Sequence, residues 1–345
     1  MNINELPIAG HEHERLASCV DANGYHGLIS IHNTRLGPAI GGTRFWQYRN
    51  EQEAINDVLR LARGMTYKNA LAGVPFGGGK SIILKQAGPI DREAIFRAHG
   101  RFVETFGGRY ITAEDVGTTP DDMDHIRKET QHVAGLWSGS GNPSPVTARG
   151  VFRAMQAAAK YRWGSDELAG RTVAIQGCGS VGYYLASYLR KAGANLIVSD
   201  VDARKVETVV NEFGATAFGP DDIYYADADV FAPCALGGVI NDETVNVLKM
   251  EIVAGGANNQ LLEPRHGDEL AARDILYAPD YAANAGGVIN GCRELLGWDT
   301  TQAAAKVDEI YDTVFNIFEM AAAENIATSK AADRLAEERF NPRSR

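Results

Sequence analysis

One stretch constrains this chain more than any other: RTVAIQGCGSVGYYLASYLRKAGANLIVSD, residues 171–200. A short apolar run, TVAIQ (172–176), leads straight into Gly177-x-Gly179-x-x-Gly182. Val181, Leu185 and Leu189 then recur at helical spacing, Gly193 ends the helix, and a second run, NLIVS (195–199), ends at Asp200. Strand, glycine turn, helix and strand form a βαβ unit. The first glycine permits a tight turn, and the second lets a pyrophosphate reach the backbone at a helix N-terminus. The third allows close helix–strand packing. A carboxylate 18 residues after Gly182, at a strand end, suits the ribose hydroxyls of a dinucleotide. Asp200 would repel a ribose 2′-phosphate, which favours NAD over NADP, although Arg204 and Lys205 lie close by in the chain.

The runs VFAPCA (230–235), EIVAG (251–255) and DILYAP (274–279) continue the alternation of strand and helix. They predict a parallel sheet covered on both faces by helices. Upstream, GLISIHN (27–33) reads as a strand after an Asn23-Gly24 turn. Ala54, Val58, Leu61 and Met65 mark a helix over 51–65; a strand follows at 110–113 and a helix starts near Pro120. SGSGNPSP (138–145) is the strongest composition break and reads as a linker or hinge. VTARGVFRAMQAAAKYR (146–162) is a predicted helix. A long one follows over 302–325, with Val307, Ile310, Val314 and Phe318 on one face, and another over 330–340.

GVPFGGGKSIIL (73–84) raises a separate question. A phosphate-binding P-loop with Lys80 as its lysine needs glycine at position 74, which is Val74, and a strand before it where this chain reads as helix. That leaves Lys80 as a surface lysine or as a chemical one in a water-poor site, where burial would lower the pKa of its ammonium. Lys68, twelve residues earlier, and the Glu114-Asp115 pair at a strand end lie in the same half.

The bulk numbers set limits. At 345 residues with 45% apolar side chains, two domains of ordinary size are expected. A net charge of −10 argues against nucleic-acid or anionic-membrane surfaces. Cys19, Cys178, Cys234 and Cys292 are far apart and read as reduced thiols, with neither disulfide nor metal site expected. The first residues show no secretory leader and no apolar run reaches membrane-spanning length, so a cytoplasmic protein is expected.

Several stretches agree on a resemblance: RLGPAIGGTRFW (35–46), RLARGMTYKNALAGVPFGGGK (60–80), GGRYITAEDVGTT (107–119), NPSPVTARGV (142–151), QGCGSVG (176–182), VFAPCALGGVI (230–240), VAGGANNQL (253–261) and LYAPDYAANAGGVIN (276–290). The chain resembles the glutamate/leucine/phenylalanine/valine dehydrogenases over residues 25–300, closest to the leucine and phenylalanine members. The resemblance implies an α/β chain with a substrate domain over 1–140 and an NAD-binding Rossmann domain over 146–319, with a cleft between. C-terminal helices of about 320–345 would pack back on the first domain. It implies reversible oxidative deamination of an L-amino acid to the 2-oxo acid and ammonia, and a homo-oligomer, dimer or octamer.

Roles follow by motif. The resemblance makes Lys80 the general acid/base and Asp115 the group that exchanges protons with the amino nitrogen. It places the substrate carboxylate on Lys68, near Gly42 and Met65. Thr147 and Asn258 would orient nicotinamide and substrate, and Gly177, Gly179, Ser180, Val181, Gly182, Asp200 and Ala235 would hold the dinucleotide. Ile40, Ala113, Val288 and Gly291 would line the side-chain pocket. None of these four is charged, which argues against glutamate, whose second carboxylate would be buried unpaired. Leucine members carry a branched residue where this chain has Gly291. The resemblance therefore implies a hydrophobic substrate of leucine or branched-chain type, with phenylalanine-like activity as the alternative. Trp46, Leu71 or Phe76 could fill the space at Gly291. Arg149 and Cys178 also depart from the residues common at their positions. A 2-hydroxy-acid dehydrogenase would need a histidine base and arginine clamp that the eight histidines do not supply. A non-catalytic NAD sensor would lack the proton-transfer groups.

Overall fold

The computed structural model describes residues 1–8, 10–136 and 141–341. Residues 138–140 of the expected hinge lie outside them. The chain forms two compact units: residues 1–141, 291–298 and 337–345 make the first, and 142–290 with 299–336 make the second. The chain thus returns to the first unit twice, in short pieces, and residues 320–336 belong to the second.

The first unit is built on a mixed six-stranded sheet. Its strands are β1 (Asn2–Glu5), β2 (Arg15–Val20), β3 (His26–Asn33), β4 (Ala39–Trp46), β5 (Gly77–Leu84) and β6 (Tyr110–Glu114), in the order β1-β2-β3-β5-β4-β6. β4 runs parallel to both β5 and β6, while β3 pairs with β5 antiparallel. The Glu51–Ala72 helix packs on one face, over Leu16, Leu28 and Ile82. Asn50 caps its start by accepting from the Glu53 N–H, and Gly73 ends it in the left-handed region at φ 63°. The opposite face is covered by the Arg92–Glu104 and Pro120–Arg127 helices over a core of Phe96, Phe102, Tyr110 and Met123.

The glycines before Lys80 form part of a central strand. A Cβ on Gly78 would fall 2.0 Å from the Thr66 backbone N, and one on Gly79 would meet the Tyr110 ring at 2.8 Å. Three side-chain-free positions thin β5 so that the helix above and the aromatic ring below both close on the sheet.

The second unit has a wholly parallel sheet of β7 (Thr172–Gln176), β8 (Asn195–Ser199), β9 (Thr216–Ala217), β10 (Val230–Pro233), β11 (Ile252–Val253) and β12 (Leu276–Tyr277). Their order is β12-β11-β10-β7-β8-β9, the doubly wound Rossmann arrangement. The two-domain α/β fold expected from the sequence is therefore observed. The long helix expected over 302–325 is instead two, Thr300–Asp308 and Ile310–Glu324, separated at Glu309. The apolar register runs straight across the break, so periodicity alone could not place it. Arg149 meets the break: its guanidinium donates to both oxygens of Asp308, at 3.0 and 2.6 Å. Among the described residues, no helix is long and apolar enough to cross a membrane.

Candidate active site

Alternation along the strands sorts the first unit's side chains into two sets. Thr43, Ser81 and Thr112 form a hydroxyl cluster with buried His99 and Tyr110 on one face. Ile40, Gly42 and Arg44 from β4, Gly78 and Lys80 from β5, and Ala113 from β6 belong to the other face, beneath the Glu51–Ala72 helix.

Lys80 is 5% exposed, and its Nζ donates to Asp115 Oδ2 at 2.8 Å. Asp115 sits in the turn after β6. The Thr118 hydroxyl accepts from the Asp115 N–H at 2.9 Å and lies within bonding distance of the Thr43 carbonyl, which ties that turn to β4. Burial works to raise the pKa of the Asp115 carboxyl. The charge and hydrogen bond of Lys80, followed by Arg44, outweigh burial and hold it below the usual carboxylate range. Gly42 is needed beside this pair, because a Cβ there would lie 2.4 Å from the Glu114 carbonyl oxygen and 2.8 Å from the Asp115 Cβ.

Lys68 and Met65 are half-buried on the facing helix. That helix is fastened on both sides of Lys68: Thr66 Oγ1 shares a 2.8 Å hydrogen bond with His32 Nδ1, and Asn69 Nδ2 donates to the Gly77 carbonyl at 2.6 Å. Gly291 is half-buried, and among the described residues a Cβ there would meet nothing within 4 Å. None of the three residues named as possible fillers, Trp46, Leu71 and Phe76, comes within 4 Å of that Cβ position.

In the second unit the glycine turn has the shape a pyrophosphate needs. Gly177 has φ 102° and presses on Ala235, and a Cβ on Gly182 would fall 1.9 Å from the Gly177 carbonyl oxygen. By contrast, among the described residues nothing lies within 4 Å of a Cβ on Gly179 and no side chain caps the Ser180–Lys191 helix that starts there. Open space above uncapped N–H groups fits an anion. Val181 Cγ1 packs against Gly256. Asp200 follows β8; its Oδ2 accepts from the Cys178 N–H at 2.7 Å and its Oδ1 from the Asp202 N–H at 2.9 Å. Each oxygen keeps a further lone pair for a hydroxyl.

Thr147, at the start of the Ser144–Trp163 helix, donates to the Pro143 carbonyl at 3.0 Å. Asn258 is exposed, and its Oδ1 accepts from Asn284 Nδ2 at 2.8 Å. That bond turns the Asn258 amide so that its NH₂ group faces away from Asn284. Val288 is half-buried on the Gly286–Leu296 helix. Two contributors escaped the sequence reading. Asn284 carried no signal of its own. Arg44 could have been found only by recognising β4, whose glycines conceal the alternation that puts it with Gly42.

The cysteines are not poised as nucleophiles: burial pushes the Cys178, Cys234 and Cys292 thiols up to about 12. Asp242, His266 and Glu269 come together at metal-ligand spacing, but Arg265 bonds to both carboxylates and fills that role.

A Rossmann sheet with a glycine turn shaped for a pyrophosphate, in one chain with a buried lysine bonded to a half-buried carboxylate, defines a nicotinamide-dependent oxidoreductase. Sequence comparison narrows this. The profile "Glu/Leu/Phe/Val dehydrogenase, dimerisation domain" matches residues 13–132. "Glutamate/Leucine/Phenylalanine/Valine dehydrogenase" matches residues 139–204 and 198–341. Leucine dehydrogenase of Geobacillus stearothermophilus is 53% identical over 334 residues, covering 96% of this chain and 91% of that one. Phenylalanine dehydrogenase of Caldalkalibacillus thermarum is 46% identical, covering 97% and 93%. The crystal structure of L-tryptophan dehydrogenase from Nostoc punctiforme superposes with a TM-score of 0.88 at 46% identity, covering 96% of each chain. The chain belongs to the Glu/Leu/Phe/Val dehydrogenase family and is an amino-acid dehydrogenase.

Proposed function

We propose that the chain catalyses the NAD-dependent, reversible oxidative deamination of a hydrophobic L-amino acid of leucine or branched-chain type. The products are the 2-oxo acid, ammonia and NADH. The observation that carries this reading is the bond of buried Lys80 to half-buried Asp115 on a glycine-lined sheet face.

Lys68 pairs with the substrate carboxylate. Asp115 takes a proton from the substrate ammonium, which leaves a free amine whose lone pair drives loss of hydride from Cα. NAD⁺, when bound, supplies the hydride acceptor. Lys80 then activates a water that adds to the iminium carbon, and afterwards polarises the forming carbonyl. Asp115 returns its proton to the departing nitrogen. Thr147 and Asn258 orient the reacting groups. The residues that the family resemblance assigns to the side-chain pocket, Ile40, Ala113, Val288 and Gly291, are uncharged, which supports an apolar substrate. Asp200 at the end of β8 supports NAD over NADP. The 53% identity to a leucine dehydrogenase supports the branched-chain reading.

One observation favours a second reading, an aromatic amino acid: the open space at Gly291. Absorbance of NADH with NAD⁺ and a panel of L-Leu, L-Val, L-Ile, L-Phe, L-Trp and L-Glu separates the two. Turnover led by Leu, Val and Ile supports the first reading, and turnover led by Phe or Trp the second. No turnover with any of them, nor with 2-oxo acids plus ammonia and NADH, refutes both. We further propose a homo-oligomer, dimer or octamer, which light scattering would test.

A further inference from the structure

Arg44 stands on β4 two residues beyond Gly42 and shares its face of the sheet. Its Nε lies 3.3 Å from Asp115 Oδ2, the same oxygen that Lys80 Nζ reaches at 2.8 Å. Its Nη1 donates to Asp57 Oδ2 at 2.9 Å. Asp57 in turn accepts from the Tyr48 hydroxyl at 2.7 Å and from Arg60 at 2.9 Å. Charges therefore alternate along a chain that starts at Lys80 and passes through Asp115, Arg44 and Asp57 to Arg60. Asp115 faces one cation from β5 and another from β4. Its own turn adds the Val116 backbone, which bonds to it, and the Thr118 hydroxyl, which bonds to its backbone.

We propose that Arg44 is a positioning residue for the reaction: it keeps Asp115 ionised and aimed before substrate gives up its proton, whichever protonation state Lys80 is in. This rests on the reading of Asp115 as the proton-exchanging carboxylate. A base that works by losing its proton must sometimes be neutral. With Lys80 alone for company, Asp115 would then be a largely buried carboxylate facing an amine, and the proton would tend to stay on the pair. A guanidinium does not titrate in this range, so Arg44 supplies a permanent counter-charge. Asp57 holds that guanidinium from its far side and stops it from swinging away from Asp115. Arg44 touches neither substrate nor cofactor in this scheme; it acts through Asp115.

The test is the pH profile of kcat/KM for amino-acid deamination in Arg44→Met and Arg44→Lys enzymes. Removing a cation at 3.3 Å should raise the apparent pKa values of the pair, moving the acid limb to higher pH by about one unit. On that limb this is about a tenfold loss at fixed pH. KM for the amino acid should change far less than kcat, because Lys68 still holds the carboxylate. Arg44→Lys keeps the charge and should leave the limb near its parental position. Should Arg44→Met fail to fold, Arg44→Gln, which keeps donors without charge, carries the same expectation. A lower rate with unmoved limbs, or equal shifts in the charged and uncharged variants, overturns the proposal. Asp115→Asn provides the control: parental rates there would sink the reading of Asp115 itself, a separate failure.

Discussion

Gly78 is the position where one methyl group should disturb chemistry it never touches. A Cβ built there lies 2.0 Å from the Thr66 backbone N and 2.5 Å from the Thr66 Cα. Thr66 could rotate its hydroxyl aside, but its backbone belongs to the Glu51–Ala72 helix. Ordinary contact needs 3.4 Å, so helix and strand must part by about 1.4 Å. Overpacking of this kind costs about 1–3 kcal/mol. In a unit of this size that is a fall in melting temperature of about 2–4 °C per kcal/mol. The kinetic effect should be larger. Lys68 is two residues further along the same helix, and a displacement near 1 Å in a positioning group costs about 100-fold in rate. Most of the loss should appear in KM for the amino acid, since on the proposed reading Lys68 grips the carboxylate in the ground state as well. Steady-state NADH formation and a thermal melt of Gly78→Ala measure both. Parental kcat/KM together with a parental melting temperature would refute the reasoning, because it would mean that helix and strand have slack where the geometry shows none.

Three other outcomes are expected. Lys80→Ala should lose at least about 100-fold in turnover while NADH binding, followed by fluorescence, survives; ordinary rates would remove Lys80 from the base role. Gly291→Val should lower kcat/KM for L-Phe relative to L-Leu by about tenfold, read from paired assays, since a branched side chain takes up the open space; an unchanged ratio would mean that Gly291 does not face the substrate. Acid should destabilise the fold through two buried histidines. Burial lowers His99 to about 3, and burial with His13 and Arg63 nearby lowers His32 to about 4, against 6.5 unfolded. Their neutral forms therefore contribute stability that is fully present above pH 6.5 and is lost as pH falls toward those folded values. Each should cost up to about 2 kcal/mol between pH 6.5 and 5. Denaturant melts of His99→Gln and His32→Gln should show a flatter dependence, and an unchanged slope would contradict neutral burial.

The second unit was readable because each of its signals is local. The turn glycines, the helix face of Val181, Leu185 and Leu189, and Asp200 all fall within one βαβ unit, and each points to the same answer. The first unit hides its logic in contacts between distant segments. Glycine is a poor strand former, so Gly41, Gly42 and Gly77 to Gly79 hid β4 and β5, the neighbouring strands that carry Arg44 and Lys80. Their glycines make sense only once Thr66, Tyr110 and the Glu114 carbonyl are seen pressing on them. The Glu51–Ala72 helix was read only as far as Met65, because its last seven residues are mostly buried and lose the two-faced pattern that marks a helix. Family resemblance supplied the roles of Lys68, Lys80 and Asp115, but it could not supply Arg44 or Asn284, which bond to Asp115 and Asn258.

Arg44 also bears on why such a pair can sit in a packed sheet. A buried ion pair adds little net stability, and deleting one partner usually costs about 3–5 kcal/mol because a charge is left unpaired. Taken in isolation, the 2.8 Å bond of Lys80 to Asp115 would make loss of the Lys80 charge a threat to the fold. The guanidinium at 3.3 Å changes that balance, since Asp115 keeps a cation whether Lys80 is charged, neutral or replaced. Lys80→Ala should then fold with a modest loss of stability, whereas adding Arg44→Met to it should be far more destabilising than the two single changes together. A double-mutant cycle on denaturant midpoints reads this directly. Additive losses would mean that Asp115 does not depend on either cation, and that its low pKa comes from elsewhere in the turn. Strong coupling would mean that the arrangement proposed to move a proton also protects the fold when Lys80 loses its charge.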